Sequence, residues 1–256
     1  MNVTRRAQRM ISNVDTWLTS WEGYPGKKRR RLICLHYAGG STREFTPWLD
    51  HLPDDIELLG VQCPGREHRF AERPFRRVPE LVSALLPAFA AYTRETYVLF
   101  GHSVGALIAF ELVRALRRSG LPLPKHLFVA ARPAPQVAPD YSPVHNLPRR
   151  ELIQVLRRYG GTADHILMNE ELMAALLPTI RADLEMNRMY SYTPEPKLPL
   201  PITTFGGDRD PICPVDDLAR WADQTSVSHE LFVLPGAHFF IREHRATLIH
   251  TIAERF

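Results

Sequence analysis

Residues 97–105 read Tyr-Val-Leu-Phe-Gly-His-Ser-Val-Gly, an apolar run that leads into a serine spaced one residue from a glycine on either side. The pattern Gly-x-Ser-x-Gly is typical of a tight turn between a strand and a helix, where neighbouring side chains would clash. Both neighbours fit, since a strand-like run precedes Gly101 and a helical run begins at Ala106. The stretch therefore predicts that Ser103 is a catalytic nucleophile, with a helix N-terminus close to the developing negative charge.

Strand-like and helical segments alternate on both sides of this stretch. Six short runs bounded by Gly or Pro have strand composition: Leu32–His36, Ile56–Gln62, Tyr97–Phe100, His126–Ala130, Ile202–Phe205 and Glu230–Leu234. Three segments have helical periodicity: Val78–Glu95, Val104–Ser119 and Arg242–Phe256. The alternation predicts the α/β class, with a mostly parallel sheet covered by helices on both faces. Residues 1–26 are expected to form a short helical or irregular extension.

Residues 132–200 interrupt the alternation. This segment opens with five prolines and continues with helical patterns at about 148–159 and 169–190. Leu172, Leu176, Ile180 and Leu184 repeat every four residues and make an apolar stripe. We interpret 1–256 as one domain in which 132–200 contains a helical lid over the substrate. Two helices that simply pack on the core are the alternative.

Composition excludes several classes of protein. The 256 residues are 45% hydrophobic and 23% charged, with a net charge of +4, which is too weakly basic for a typical nucleic-acid binder. We expect no membrane span, because no apolar run approaches the roughly 18–20 residues required. Cys34, Cys63 and Cys213 are few and far apart, which favours the reducing cytoplasm. Zinc-ligand spacing is missing, so we expect no metal.

A nucleophilic serine needs a base and an acid that orients the base. His238, in Pro-Gly-Ala-His after a strand-like run, is the candidate general base. The candidate acids lie in Gly206–Pro211, which follows the preceding strand-like run. The order serine, acid, histidine is that of α/β-hydrolases. We favour Asp210, since the chain turns directly after it at a proline, over Asp208, which would then cap the loop.

The oxyanion that forms during acyl transfer needs two backbone N–H donors. One is expected from the residue after the nucleophile, Val104. The other is expected from the Gly-rich turn Tyr37–Ser41 that follows the first strand-like run, and Ala38 is the candidate.

The chain resembles the type II (stand-alone, editing) thioesterases of polyketide and nonribosomal peptide biosynthesis, in the α/β-hydrolase superfamily. The resemblance covers roughly residues 20–256, whereas residues 1–19 have no assigned role. Six segments carry the resemblance: Leu35–Ser41, Gln62–Glu67, Phe100–Gly105, Leu177–Asp183, Phe205–Pro211 and Pro235–Phe240. The Cys-Pro-Gly-Arg-Glu and Gly-Gly-Asp-x-Asp sequences are more specific than the serine motif alone.

The resemblance implies that the enzyme hydrolyses acyl thioesters on the phosphopantetheine arm of acyl or peptidyl carrier proteins, which clears stalled or misprimed groups. It implies no metal and no soluble cofactor. We expect a cytoplasmic monomer that binds neither nucleic acid nor membrane. Carrier domains are typically acidic, so two arginine-rich segments are candidate docking sites, with ordinary solvated surface as the alternative. They contain Arg66, Arg69, Arg73, Arg76 and Arg77, and Arg149, Arg150, Arg157 and Arg158.

Three other functions fit the same serine, acid and histidine. A carboxylesterase or lipase would prefer oxygen esters, and an acyltransferase would pass the acyl group to an alcohol or amine. A binding protein of this fold would not react at Ser103.

Overall fold

The computed structural model describes residues 11–14, 16–21, 30–137 and 143–256, and these residues contain an eight-stranded sheet. The strands lie in the order β1-β2-β4-β3-β5-β6-β7-β8. Their bounds are β1 Ile11–Val14, β2 Leu18–Trp21, β3 Arg30–Leu35, β4 Ile56–Val61, β5 Thr96–His102, β6 Leu127–Ala130, β7 Ile202–Gly207 and β8 His229–Leu234. Strands β3 to β8 pair in parallel, whereas β1 and β2 are antiparallel to their neighbours. The predicted mostly parallel sheet is confirmed.

Helices cover both faces of this sheet, as predicted. Their bounds are α1 Val78–Ala90, α2 Val104–Arg118, α3 Arg149–Tyr159, α4 Asp164–Leu167, α5 Glu170–Arg188, α6 Val215–Ala219 and α7 Arg245–Ala253. One apolar cluster packs α1 and α2 against the sheet, and a second packs α7 and the 3₁₀ segment Thr42–Asp50 against the opposite face. Helix α1 stops five residues before the predicted end, where the Thr93 hydroxyl donates to the Ala90 carbonyl at 2.9 Å.

The order of the strands brings the loops that carry the candidate residues together. Strand β3 lies between β4 and β5, so the chain reverses direction across the sheet at this point. Ligands bind in parallel sheets at such a reversal, outside the carboxyl ends of the strands. The turn after β3 and the turn after β5 therefore adjoin, which places Ala38 near Ser103.

The expected helical or irregular extension at the N-terminus is wrong in the part that the structure describes. Strand β2 pairs with β4, and β1 pairs with β2. Trp17 and Leu18 are buried against the sheet, so apolar burial together with the unpaired edge of β4 explains the strand pairing. Residues 1–10, 15 and 22–26 of the expected extension lie outside the described residues.

The segment between β6 and β7 contains α3, α4 and α5. The two predicted helical patterns correspond to α3 and α5, while the four-residue helix α4 was not predicted. Apolar side chains of these helices form their own buried cluster, and Ala38 packs against its edge. The insertion therefore lies over the turn that follows β3. Residues 138–142 in its Pro-rich opening lie outside the described residues.

Candidate active site

Ser103 occupies a strained turn between β5 and α2. Its φ of 57° and ψ of −119° lie where side chains are rarely tolerated. The flanking glycines make the turn possible, since a Cβ on Gly101 would lie 2.5 Å from the Ala106 backbone. A Cβ on Gly105 would lie 2.6 Å from the His36 carbonyl oxygen. The glycines therefore allow α2 to start directly against β3, with the serine raised above the sheet.

His238 lies between Ser103 and Asp210. Its Nε2 is 3.1 Å from Ser103 Oγ, and its Nδ1 is 2.7 Å from Asp210 Oδ2. The imidazole is 6% exposed and the carboxylate is fully buried. The second Asp210 oxygen accepts the Ile212 N–H at 2.8 Å, which fixes the carboxylate in the loop. The three side chains form a continuous hydrogen-bonded chain of the kind that activates a serine.

The structure separates the two candidate acids. Asp208 Oδ1 accepts the Gly236 N–H at 2.7 Å and thereby joins the loops after β7 and β8. Its side chain is 49% exposed and lies near Arg209, whereas Asp210 is the carboxylate on the imidazole. Asp208 thus occupies the loop-capping position that the sequence suggested for the other acid.

His102 forms a hydrogen bond with the backbone of His238, the candidate base. Its Nε2 lies 2.9 Å from the His238 carbonyl oxygen. Burial lowers the pKa of His102 well below its usual value, so the ring is neutral and Nε2 donates to that carbonyl. Sequence reasoning did not assign His102 a role, although its position beside Ser103 places it under the loop that carries His238.

Ala38 and Val104 both line the cavity that contains Ser103 and His238. Val104 is the first residue of α2, where backbone N–H groups have no partner within the helix. No hydrogen bond among the described residues uses the Ala38 N–H as donor. The turn is closed by the Gly40 N–H, which donates to the Tyr37 carbonyl at 2.9 Å. Both candidate oxyanion donors therefore lie beside the nucleophile.

The cavity extends from Ser103 under the insertion. Its roof and walls are mainly apolar and aromatic, with polar groups from the end of α5. The lining side chains contributed by the insertion are Val144, Leu156, Tyr159, Thr162, Leu184, Asn187 and Arg188. Apolar walls around a nucleophile suit an acyl chain better than a charged substrate.

A polar cluster fastens the α3–α4 connection beside the cavity. Arg242 forms an ion pair with Glu44 at 2.9 Å and donates to the Gly161 carbonyl at 3.0 Å. The Tyr37 hydroxyl accepts from Arg242 at 2.9 Å and lies 3.3 Å from the Gly161 carbonyl. The cluster therefore joins the insertion to the turn after β3 and to the loop after β8.

Part of the first arginine-rich segment is not available as the docking surface expected from the sequence. Arg66 and Arg69 are buried, since Arg66 forms an ion pair with Asp183 and Arg69 stacks 4.1 Å from the Trp17 ring. Arg76 and Arg77 both form ion pairs with Glu185 of α5. A run of arginines does not reveal which of them have buried acidic partners elsewhere in the chain. The docking hypothesis is wrong for Arg66 and Arg69.

Across the described ranges, no group of three or more His, Cys, Asp and Glu side chains is placed to hold a metal ion. Likewise, none of the helices in those ranges is long and apolar enough to cross a membrane.

Comparison with known proteins identifies the family. Residues 30–256 match the thioesterase domain model. The gramicidin S biosynthesis protein GrsT of Aneurinibacillus migulanus is 35% identical over 96% of this chain and 95% of that protein. Thioesterase PikA5 of Streptomyces venezuelae is 35% identical over 94% and 86% of the two chains. The solved type II thioesterase BorB, from the borrelidin biosynthetic cluster, is 37% identical, with a TM-score of 0.86 over 95% of this chain and 99% of that one.

These matches confirm the fold, the enzyme class and the resemblance that the six sequence segments carried. The chain belongs to the thioesterase family of α/β-hydrolase enzymes.

Proposed function

We propose that this thioesterase hydrolyses acyl groups from the phosphopantetheine arm of carrier proteins and so removes stalled or aberrant units during polyketide or nonribosomal peptide synthesis. The observation that carries the proposal is the Ser103–His238–Asp210 chain, which opens into an apolar cavity under the insertion. GrsT is named for gramicidin S biosynthesis and BorB for the borrelidin biosynthetic cluster, and these names support the assignment to a biosynthetic pathway of this kind.

The geometry supports acyl transfer in two stages. Ser103 Oγ attacks the thioester carbonyl while His238 Nε2 takes its proton, and Asp210 stabilises the imidazolium. The Ala38 and Val104 N–H groups stabilise the tetrahedral oxyanion. The carrier thiol leaves with the proton from His238, and an acyl-serine remains. Water, deprotonated by His238, then attacks the acyl-serine, and the free acid and Ser103 are released. These steps use the chain's own residues and require no cofactor.

The insertion would act as a lid and as the docking surface for the carrier protein. Arg149, Arg150, Arg157 and Arg158 on α3 are all exposed. Met168, which lines a surface groove with Arg149, Arg150 and Arg157, is 75% exposed, and Leu172 at the start of α5 is 46% exposed. A basic rim beside exposed apolar side chains suits an acidic partner, because charge steers the encounter and apolar contact holds the complex.

Docking is tested by reversing charge on the exposed arginines. Arg150→Glu combined with Arg158→Glu should lower kcat/KM for a carrier-bound acyl group at low salt, while hydrolysis of a small acyl thioester stays unchanged. Unchanged hydrolysis of the carrier-bound group would remove the docking proposal.

Substrate class is tested by intact mass spectrometry of a panel of acyl-carrier proteins, with the wild type and Ser103→Ala. The expected result is loss of the acyl mass and release of free acid with the wild type alone. A strong preference for an oxygen ester of the same chain length would favour a carboxylesterase, and transfer of the acyl group to an amine or alcohol would favour an acyltransferase. Failure of Ser103 to react with a fluorophosphonate would favour a binding protein.

The proposed location is the cytoplasm. Cys34, Cys63 and Cys213 are buried free thiols, as is usual for proteins of a reducing compartment.

A further inference from the structure

A buried ion pair lies directly beneath the turn that carries Ala38. The Arg66 guanidinium donates through two nitrogens to the two carboxylate oxygens of Asp183, each at 2.9 Å. The side chains are only 7% and 8% exposed. Such a planar, two-point pair fixes both partners in orientation as well as in distance.

Both partners of this ion pair also bind the turn itself. Asp183 Oδ2 accepts the Gly39 N–H at 2.7 Å, and Arg66 Nη1 donates to the Gly40 carbonyl at 2.9 Å. The ion pair therefore holds two successive residues of the turn, Gly39 through its N–H group and Gly40 through its carbonyl oxygen. Asp183 belongs to α5 of the insertion, so these contacts also connect the insertion to the turn.

His36 acts on the peptide group that contains the Ala38 N–H. Its Nδ1 lies 3.0 Å from the Tyr37 carbonyl oxygen and 3.4 Å from Arg66 Nη1. Burial, with a smaller contribution from Arg66, lowers the pKa of His36 to about 4, so the ring is neutral near neutral pH. The shorter of the two contacts is the hydrogen bond, in which the Nδ1–H group donates to the Tyr37 carbonyl oxygen. Since a trans peptide is planar, holding the Tyr37 carbonyl fixes the opposite direction for the Ala38 N–H.

Steric contact adds to these hydrogen bonds. Gly39 has a φ of +74°, and a Cβ there would lie 2.7 Å from Ile180 Cγ1. Ile180 and Asp183 are three residues apart on α5 and so face the same side of the helix. Helix α5 therefore contacts the turn through two side chains on the same helix face, the apolar Ile180 and the carboxylate of Asp183.

We propose that Arg66, Asp183 and His36 are positioning residues that hold the turn after β3 with the Ala38 N–H directed at the oxyanion, and that they couple this donor to α5. The inference rests on the proposed function of Ser103 and Ala38. In the described part of the chain, no hydrogen bond or ion pair joins any of the three to Ser103, His238 or Asp210. Their loss should therefore weaken binding of the transition state without changing the triad.

The test is Asp183→Asn, which keeps the shape of the side chain and removes the charge that Arg66 requires. We expect kcat for a small acyl thioester to fall about 10- to 100-fold with KM within about twofold, as expected for a displaced catalytic group. Affinity for an alkyl boronic acid should fall by a similar factor, because its tetrahedral adduct with Ser103 occupies the oxyanion site. Values are corrected for the folded fraction measured by circular dichroism.

Glu185→Gln is the matched control. Glu185 lies two residues along α5 and forms ion pairs with Arg76 and Arg77. In the described part of the chain, no hydrogen bond or ion pair joins its carboxylate to the turn. This variant should keep the wild-type kcat and boronate affinity. If Asp183→Asn does not fold, Arg66→Lys takes its place, because a lysine keeps the positive charge but lacks the planar fork.

Wild-type kcat and boronate affinity in the folded variant would overturn the proposal, as would a loss equal to that of Glu185→Gln. A wild type that binds the boronic acid but hydrolyses no acyl thioester would refute the proposed function instead. The boronate comparison between variants would still decide whether the positioning residues act on the oxyanion site.

Discussion

Replacement of Asp210 by asparagine should reduce kcat/KM about 10³-fold. The carboxylate is fully buried and lies 2.7 Å from His238 Nδ1. When His238 takes the serine proton, the imidazolium and the Asp210 carboxylate carry opposite charges whose centres are about 4 Å apart, and they attract by about 4 kcal/mol at an effective dielectric constant of about 20. At about 1.4 kcal/mol for each tenfold change in rate, the loss is about three powers of ten. Asn at this position keeps the size of the side chain but loses its charge.

Asp208→Asn is the matched control. Asp208 is half exposed and accepts one backbone N–H, which an asparagine oxygen also accepts. Its replacement should change kcat/KM less than about tenfold, because solvent screens an exposed charge. The assay is release of free thiol from a small acyl thioester, with both variants checked for folding by circular dichroism. A larger loss in Asp208→Asn than in Asp210→Asn would refute the assignment of the acid.

Three further predictions concern packing, stability and the insertion. Gly105→Ala should prevent correct folding, because the added Cβ would meet the backbone of the adjacent strand. Gly120 has open space around it and a φ of +64°, so Gly120→Ala should only lower the free energy of unfolding, by about 1–2 kcal/mol. Urea denaturation and thioesterase activity distinguish the two variants. Burial lowers the pKa of His126 to about 4, so the unfolded chain binds a proton more readily than the folded protein below about pH 6.5. The free energy of unfolding should therefore fall as the pH drops from about 6.5 towards 4, and this group should account for about 1–2 kcal/mol of the fall at about pH 5. Urea titrations of His126→Gln at about pH 7 and 5 should show a smaller fall than the wild type. An unchanged fall would exclude this contribution. Tyr37→Phe removes a hydroxyl that lies 3.3 Å from the Gly161 carbonyl oxygen. Backbone hydrogen exchange near Gly161 should become up to about tenfold faster, while the rate of fluorophosphonate labelling of Ser103 stays within about twofold of the wild-type rate. Unchanged exchange would show that the hydroxyl does not hold the loop.

The parallel part of the fold could be predicted from sequence because its signals are local. Each strand from β3 to β8 overlaps a short apolar run, and the Gly-x-Ser-x-Gly stretch fixes the turn between β5 and α2. Strands β1 and β2 carried no such signal. They are four residues each, and the pairing of β2 with the edge of β4, on which β1 then adds, depends on a partner about 40 residues away in sequence.

In the candidate site, too, residues with a local sequence signal could be predicted, whereas contacts between residues far apart in sequence could not. His238 and the two candidate acids followed from loops directly after strand-like runs, and the proline after Asp210 decided between the acids. The structure places Asp210 on His238 and His238 on Ser103. The Arg66–Asp183 pair joins residues 117 positions apart, so no local pattern distinguished Arg66 from an exposed arginine. Sequence periodicity placed Asp183 on a helix, but the contact with Arg66 arises only when that helix lies over the sheet.

The buried pair beneath the Ala38 turn also limits how this chain can change during evolution. Replacing either residue alone leaves an unpaired charge in a buried site, a state that destabilises proteins strongly. An acceptable replacement must therefore change both positions together, or restore the second before the first is lost. Related sequences should accordingly hold arginine and aspartate at these two positions as a unit, and a lineage that has lost one should have lost the other.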